Sequence, residues 1–181
     1  MSGARRGVAV FGSSDPVESD PLYATAREVG RLLAREGFLV ITGGYGGVME
    51  AACRGALEAG GESLGITTAA LSPLRASPNP YLTQHVEEPD LFGRTRELIS
   101  RSAGYIILPG KAGTLAELTF LWALNKAQLL QSRPIVLLGS TWQSFLEQAQ
   151  SLALVDRSEI DITLIAHSAA EAVGLVRSRL K

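Results

Sequence analysis

At 181 residues, with 17 basic against 18 acidic side chains and a net charge of −1, the chain suits one domain (residues 1–181). It can bury roughly 70% of its unfolded surface in a single core, and it has no global field to concentrate a polyanion. Nucleic acid is not expected as a partner, because the best local basic candidate, Arg94, Arg96 and Arg101, sits among acidic neighbours as on a solvated helix face. One cysteine, Cys53, excludes an intrachain disulfide, and with only His85 and His167 beside it no structural zinc set forms, so a reducing, cytoplasmic location and no metal are expected.

In chain order, the polar and basic opening, residues 1–7, reads as neither a signal peptide nor an anchor, and no apolar run is long enough to span a bilayer, so no membrane partner is expected. A strand at 8–11 runs into Phe11-Gly12-Ser13-Ser14, and a helix follows at 23–36. The second strand, 38–42, ends in Thr42-Gly43-Gly44-Tyr45-Gly46-Gly47 and opens a helix at 47–59. A third strand is expected at 63–67. Residues 68–82 then carry Pro73, Pro78 and Pro80, which neither a helix nor a central strand tolerates. That stretch reads as a surface loop on the same rim as the glycine turn, either covering a ligand with Tyr81 as a stacking ring or serving as a plain connector. Next come a strand at 85–87, a helix at 91–102 and a strand at 105–108. Pro109-Gly110-Lys111-Ala112-Gly113-Thr114 opens a helix at 114–130, and strand 134–138, helix 142–153, strand 162–165 and helix 169–180 complete the chain.

Short β-branched runs alternating with helix-period segments predict a Rossmann-like three-layer α/β sandwich: a mostly parallel sheet of about seven strands with helices on both faces. In such a sheet the loops at the carboxyl ends of the strands share one rim, so both glycine turns can face a single nucleotide-sized ligand. Glycine lets the backbone approach closely, and the free N–H groups of the following helix attract phosphate. Gly43, Gly44, Gly46 and Gly47 exceed what a tight turn alone needs. They are not a dinucleotide fingerprint, which belongs after the first strand, where this chain offers Gly12, Ser13 and Ser14. Nor does the second turn make a Walker A loop, since Ala112 follows Lys111 and Tyr105 stands where the opening glycine belongs. Ser13 and Ser14 are candidate donors to phosphate or base, against an ordinary polar turn leading to Asp15-Pro16.

Two readings stand for Thr114 and Glu117. Thr-x-x-Glu at the head of an apolar helix is a capping box; alternatively, Glu117 reaches a bound ribose from within one turn of the phosphate rim. The helix itself is apolar on more than one face, through Leu115, Leu118, Phe120, Leu121, Trp122, Leu124, Leu129 and Leu130. One face covers the sheet, and the other predicts a homodimer or higher homo-oligomer, with full burial inside one subunit as the alternative.

The stretches Gly43-Gly44-Tyr45-Gly46-Gly47-Val48-Met49, Gly60-Gly61, Gly65-Ile66 and Pro109-Gly110-Lys111-Ala112-Gly113-Thr114-Leu115-Ala116-Glu117 resemble the LOG-like (LONELY GUY) family, with its GGxxGxM and PGGxGTxxE motifs. Arg94 stands at the spacing of that family's active-site arginine. The resemblance runs from Phe11 to about Gly139. It implies a nucleotide site in which Glu117 and Arg94 are catalytic. Gly12, Ser13, Ser14, Gly43, Gly44, Gly46, Gly47, Met49, Gly110, Lys111, Ala112, Gly113 and Thr114 bind substrate and phosphate. The reaction implied is hydrolysis of the N-glycosidic bond of a purine-type nucleoside 5′-monophosphate to free base and ribose 5-phosphate. Some relatives only bind, which makes a nucleotide sensor or a molybdenum-cofactor carrier the alternative and a DNA-processing relative the third. An older label, possible lysine decarboxylase, finds no support among three lysines, Lys111, Lys126 and Lys181, and no cofactor is expected. Three positions depart from the family pattern. Lys111 replaces the second glycine of PGG, which costs about 1–2 kcal/mol if that position needs a positive φ and otherwise adds a cation beside the phosphate. Thr95 replaces a lysine, and Glu50 a glycine.

Overall fold

The computed structural model describes residues 6–71, 77–130 and 133–180. Seven strands form one sheet in the order β4-β3-β2-β1-β5-β6-β7: β1 (Gly7–Phe11), β2 (Leu39–Thr42), β3 (Ser63–Thr68), β4 (Gln84–Glu88), β5 (Ser102–Ile107), β6 (Ile135–Leu138) and β7 (Thr163–Ala166). Every neighbouring pair is parallel, where a mostly parallel sheet was expected. All seven predicted strands are present, displaced by at most a few residues.

Alternation along β1 shows why the sheet has two covered faces. Val8 and Val10 point into a core closed by α1 (Pro21–Arg35), α2 (Val48–Glu58) and α7 (Ala169–Leu180). Ala9 and Phe11 point into a second core, shared with α3 (Leu91–Ser100), α4 (Ala112–Lys126) and α5 (Ser140–Ser151). A short α6 (Arg157–Asp161) was not predicted, although Asp156 and Glu159 form a reciprocal capping box at its start.

The chain winds outward from β1 through β2 and β3 to β4, then returns to β5 on the other side of β1. That reversal leaves a crevice between the carboxyl ends of β1 and β5, the place where open α/β sheets bind ligands. Of the proline-bearing connection, residues 72–76 lie outside the described residues. Ala69–Leu71 forms a single 3-10 turn, and the return at Asn79 folds back on the first glycine turn.

Candidate active site

At the crevice lies a cavity of about 260 Å³, lined by Gly12, Ser13, Ser14 and Asp15 after β1, Met49 of α2, Arg94 of α3, and Lys111, Ala112, Gly113, Thr114 and Glu117 at the start of α4. Ten of the predicted site residues are therefore brought to one place. Gly43, Gly44, Gly46, Gly47 and Gly110 are not in its lining; the four in the first turn build its support instead.

Gly43 seats the arginine. A Cβ there would collide with Arg94 Nη2 and Met49 Sδ, so only glycine leaves room for the guanidinium. Arg94 Nη2 donates to Gly43 O at 3.1 Å and Nε donates to Ile66 O at 2.8 Å, and Cζ stands 5.7 Å from the centroid of the Tyr45 ring. The side chain is 9% exposed. Its charge is thus held against backbone carbonyls and a ring face while the residue still lines the cavity. Gly47, at φ +69, turns the chain into α2 and passes so close to the Ser13–Ser14 backbone that a Cβ would clash. Val48 N donates to Ser13 O at 2.9 Å and Ser13 N donates to Pro109 O at 3.1 Å, tying the loops after β2, β1 and β5 together. The first N–H of α2 is therefore engaged by the β1 loop, and the first turn of α4 lines the cavity beside Met49 of α2.

The backbone of that second turn decides between the alternatives the sequence leaves open. First, α4 begins at Ala112, with Lys111 as N-cap and no side-chain cap. Thr114 is consequently inside the first turn and makes no capping box with Glu117. It is 4% exposed and packs against Gly110. Glu117 lies about 7.5 Å along the axis from the helix start, beyond the first turn where the dipole acts most strongly. Second, Lys111 has φ −101 and ψ −157, an extended backbone open to any residue, so its replacement of glycine stores no strain. Its Nζ lies 2.5 Å from Asp15 Oδ2, a cavity residue whose part the sequence reading missed.

Tyr81 is not a ring over the cavity: Arg54 Cζ of α2 lies 5.5 Å from its centroid. The residue of this loop that matters to the turn is Asn79, 6% exposed, whose N donates to Gly44 O at 2.9 Å and Nδ2 to Tyr45 O at 3.1 Å. Arg94, Arg96 and Arg101 make no basic patch, since Arg94 is buried, Arg101 Nε pairs with Glu97 at 2.5 Å, and Arg96 lines a groove. That groove, about 580 Å³, runs between α3 and α4 and is largely apolar, with Phe92, Ile99, Phe120, Leu124 and Leu129 in its walls; it meets the cavity at Glu117. The described residues include no cluster that would hold a metal ion and no helix long and apolar enough to cross a membrane.

The model of the SLOG cluster4 family matches residues 5–161. A pyrimidine/purine nucleotide 5′-monophosphate nucleosidase of Escherichia coli strain K12 is 30% identical over 141 residues, 73% of this chain but only 30% of that protein's length. A probable cytokinin riboside 5′-monophosphate phosphoribohydrolase of Oryza sativa subsp. japonica is 28% identical over 176 residues, covering 93% of this chain and 75% of that one. Among solved structures, the molybdenum cofactor binding protein from Rippkaea orientalis superposes with a TM-score of 0.77 at 24% identity over 98% of each chain, a likeness of fold.

Proposed function

The chain belongs to the SLOG cluster4 family, and from that premise we propose that it hydrolyses the N-glycosidic bond of a nucleoside 5′-monophosphate. The observation that carries this reading is the meeting of Glu117, Arg94 and the start of α4 in one cavity at the switch point of the sheet. Phosphate sits at the N-terminus of α4, where Ala112, Gly113 and Thr114 offer backbone N–H groups, with Ser13 and Ser14 beside it and Arg94 on the inner side. The volume of about 260 Å³ suits the ribose phosphate; the base extends past Glu117 toward the apolar groove. As the bond breaks, positive charge develops on the ribose, and the Glu117 carboxylate stabilises it and orients the water, whose hydroxyl adds to C1′ while the proton it gives up ends on the departing base nitrogen.

Likeness to the Escherichia coli nucleosidase and to the Oryza sativa phosphoribohydrolase supports this reaction class. A second reading, binding without turnover by a nucleotide sensor or a carrier of a phosphate-bearing cofactor, is favoured by Thr95, which stands where many hydrolytic members of the resembled family have lysine. Its Oγ1 donates to Leu91 O at 2.8 Å within α3. Single-domain organisation, a homodimer through the exposed face of α4, and a cytoplasmic location consistent with the lone buried Cys53 complete the proposal. Incubating the protein with a panel of purine and pyrimidine nucleoside monophosphates and separating the products by chromatography tests it: free base and ribose 5-phosphate in equal amounts support hydrolysis, whereas tight binding with no base released assigns the site to a binder.

A further inference from the structure

We propose that Asp15 and Lys111 form a charge clasp at the mouth of the cavity, in which a ligand phosphate takes Lys111 from Asp15, so that the pair sets the preference for a phosphate-bearing ligand over the bare nucleoside. The clasp rests on the nucleotide reading of the cavity. Lys111 is the N-cap of α4 and Asp15 belongs to the loop after β1, so the two residues come from opposite sides of the switch-point crevice, and both line the cavity with Arg94 and Glu117. Lys111 Nζ and Asp15 Oδ2 are 2.5 Å apart, and Asp15 N donates to Ser13 Oγ at 3.2 Å, which ties down the loop that carries the carboxylate.

The pair does little for the fold. Its side chains are 82% and 57% exposed, and ion pairs so well solvated contribute little. It is therefore free to exchange. Each partner stabilises the other's charged form: the ammonium beside Asp15 holds its carboxyl below the usual range, and the carboxylate raises Lys111 above its own. A phosphate dianion at the start of α4 lies one residue from Lys111 and offers an ammonium more charge and more acceptor oxygens than a single carboxylate does. Asp15, more than half exposed, returns to water at small cost. Until then it neutralises Lys111, and anions weaker than phosphate do not displace it.

Calorimetric titration with ribose 5-phosphate, adenosine 5′-monophosphate and adenosine tests the clasp in the wild type, Asp15→Asn, Lys111→Met and the double variant, with thermal midpoints confirming that each is folded. Asp15→Asn is expected to tighten ribose 5-phosphate about two- to fivefold, the equivalent of freeing one exposed ion pair, and Lys111→Met to weaken it about five- to tenfold. In the Lys111→Met background Asp15→Asn should give no gain, and adenosine affinity should not move in any variant. Unchanged or weaker ribose 5-phosphate binding in Asp15→Asn, beside measurable wild-type binding, overturns the clasp alone. If the wild type binds neither phosphate-bearing ligand, the nucleotide reading fails and the clasp with it.

Discussion

Arg94 Nη2 donates to the carbonyl of Gly43 at 3.1 Å, across 51 residues of sequence. This one contact joins the first glycine turn to α3 and puts the guanidinium at the inner wall of the cavity formed by the second turn. The two turns therefore act on one site by different means: one lines it, the other positions the charge that lines it.

Gly43→Ala follows directly. The added methyl group occupies the place of Arg94 Nη2 and Met49 Sδ, and the end of the arginine is displaced more easily than the backbone. A loss of stability of about 1–3 kcal/mol is expected, together with about 10- to 100-fold weaker binding of a nucleoside monophosphate as the charge-assisted bonds to it are lost. Thermal unfolding and calorimetry on the same preparation read both.

Legibility in the sequence followed the range of the physics. Strand-to-helix alternation is local, and it located all seven strands and six of the helices within a few residues. What reading by spacing could not see were contacts at long separation: the carbonyls of Ile66 and Gly43 that hold Arg94, 28 and 51 residues away, and Asn79 clamping Gly44 from within a proline-bearing loop. The start of α4 was misread because Thr114 and Glu117 match a capping pattern, whereas Ala112 and Gly113 are already helical. Asp15 carried a signal, an acid directly after Ser13-Ser14, but its pairing with Lys111 needs β1 and β5 to be neighbours.

Tyr23 gives a prediction with a pH signature. Its OH donates to Glu50 Oε1 at 2.8 Å, and burial, then the hydrogen bond to Glu50, push its pKa from 10.0 up to about 12. The folded state favours the neutral phenol, so the contribution is complete below pH 10 and is lost as pH rises toward 12. The difference corresponds to roughly 2–3 kcal/mol. Wild-type stability should fall over that window relative to Tyr23→Phe, as followed by denaturant unfolding at stepped pH; parallel pH curves for the two proteins would remove this role for Glu50.

Assembly is tested at the exposed side of α4. Phe120 is 47% and Phe92 85% exposed, and both line the apolar groove; surface of this kind marks association sites. Light scattering should give a dimer or a multiple of it at micromolar concentration, and Phe120→Glu should shift it to monomer with little change in thermal midpoint. A monomeric wild type would show that the groove is open in solution.

The central claim turns on Glu117, and the direct measurement compares wild type with Glu117→Gln for base release and for nucleoside monophosphate affinity. Thr114 and Glu117 form no capping box in this fold, so the amide should not show the loss of about 0.5–2 kcal/mol that goes with a lost helix cap. If Glu117 stabilises the ribose cation, base release should fall by about 100-fold or more, with the dissociation constant little changed. Equal turnover in the two proteins would contradict the account, because the carboxylate at the heart of the cavity would then do none of the chemistry assigned to it.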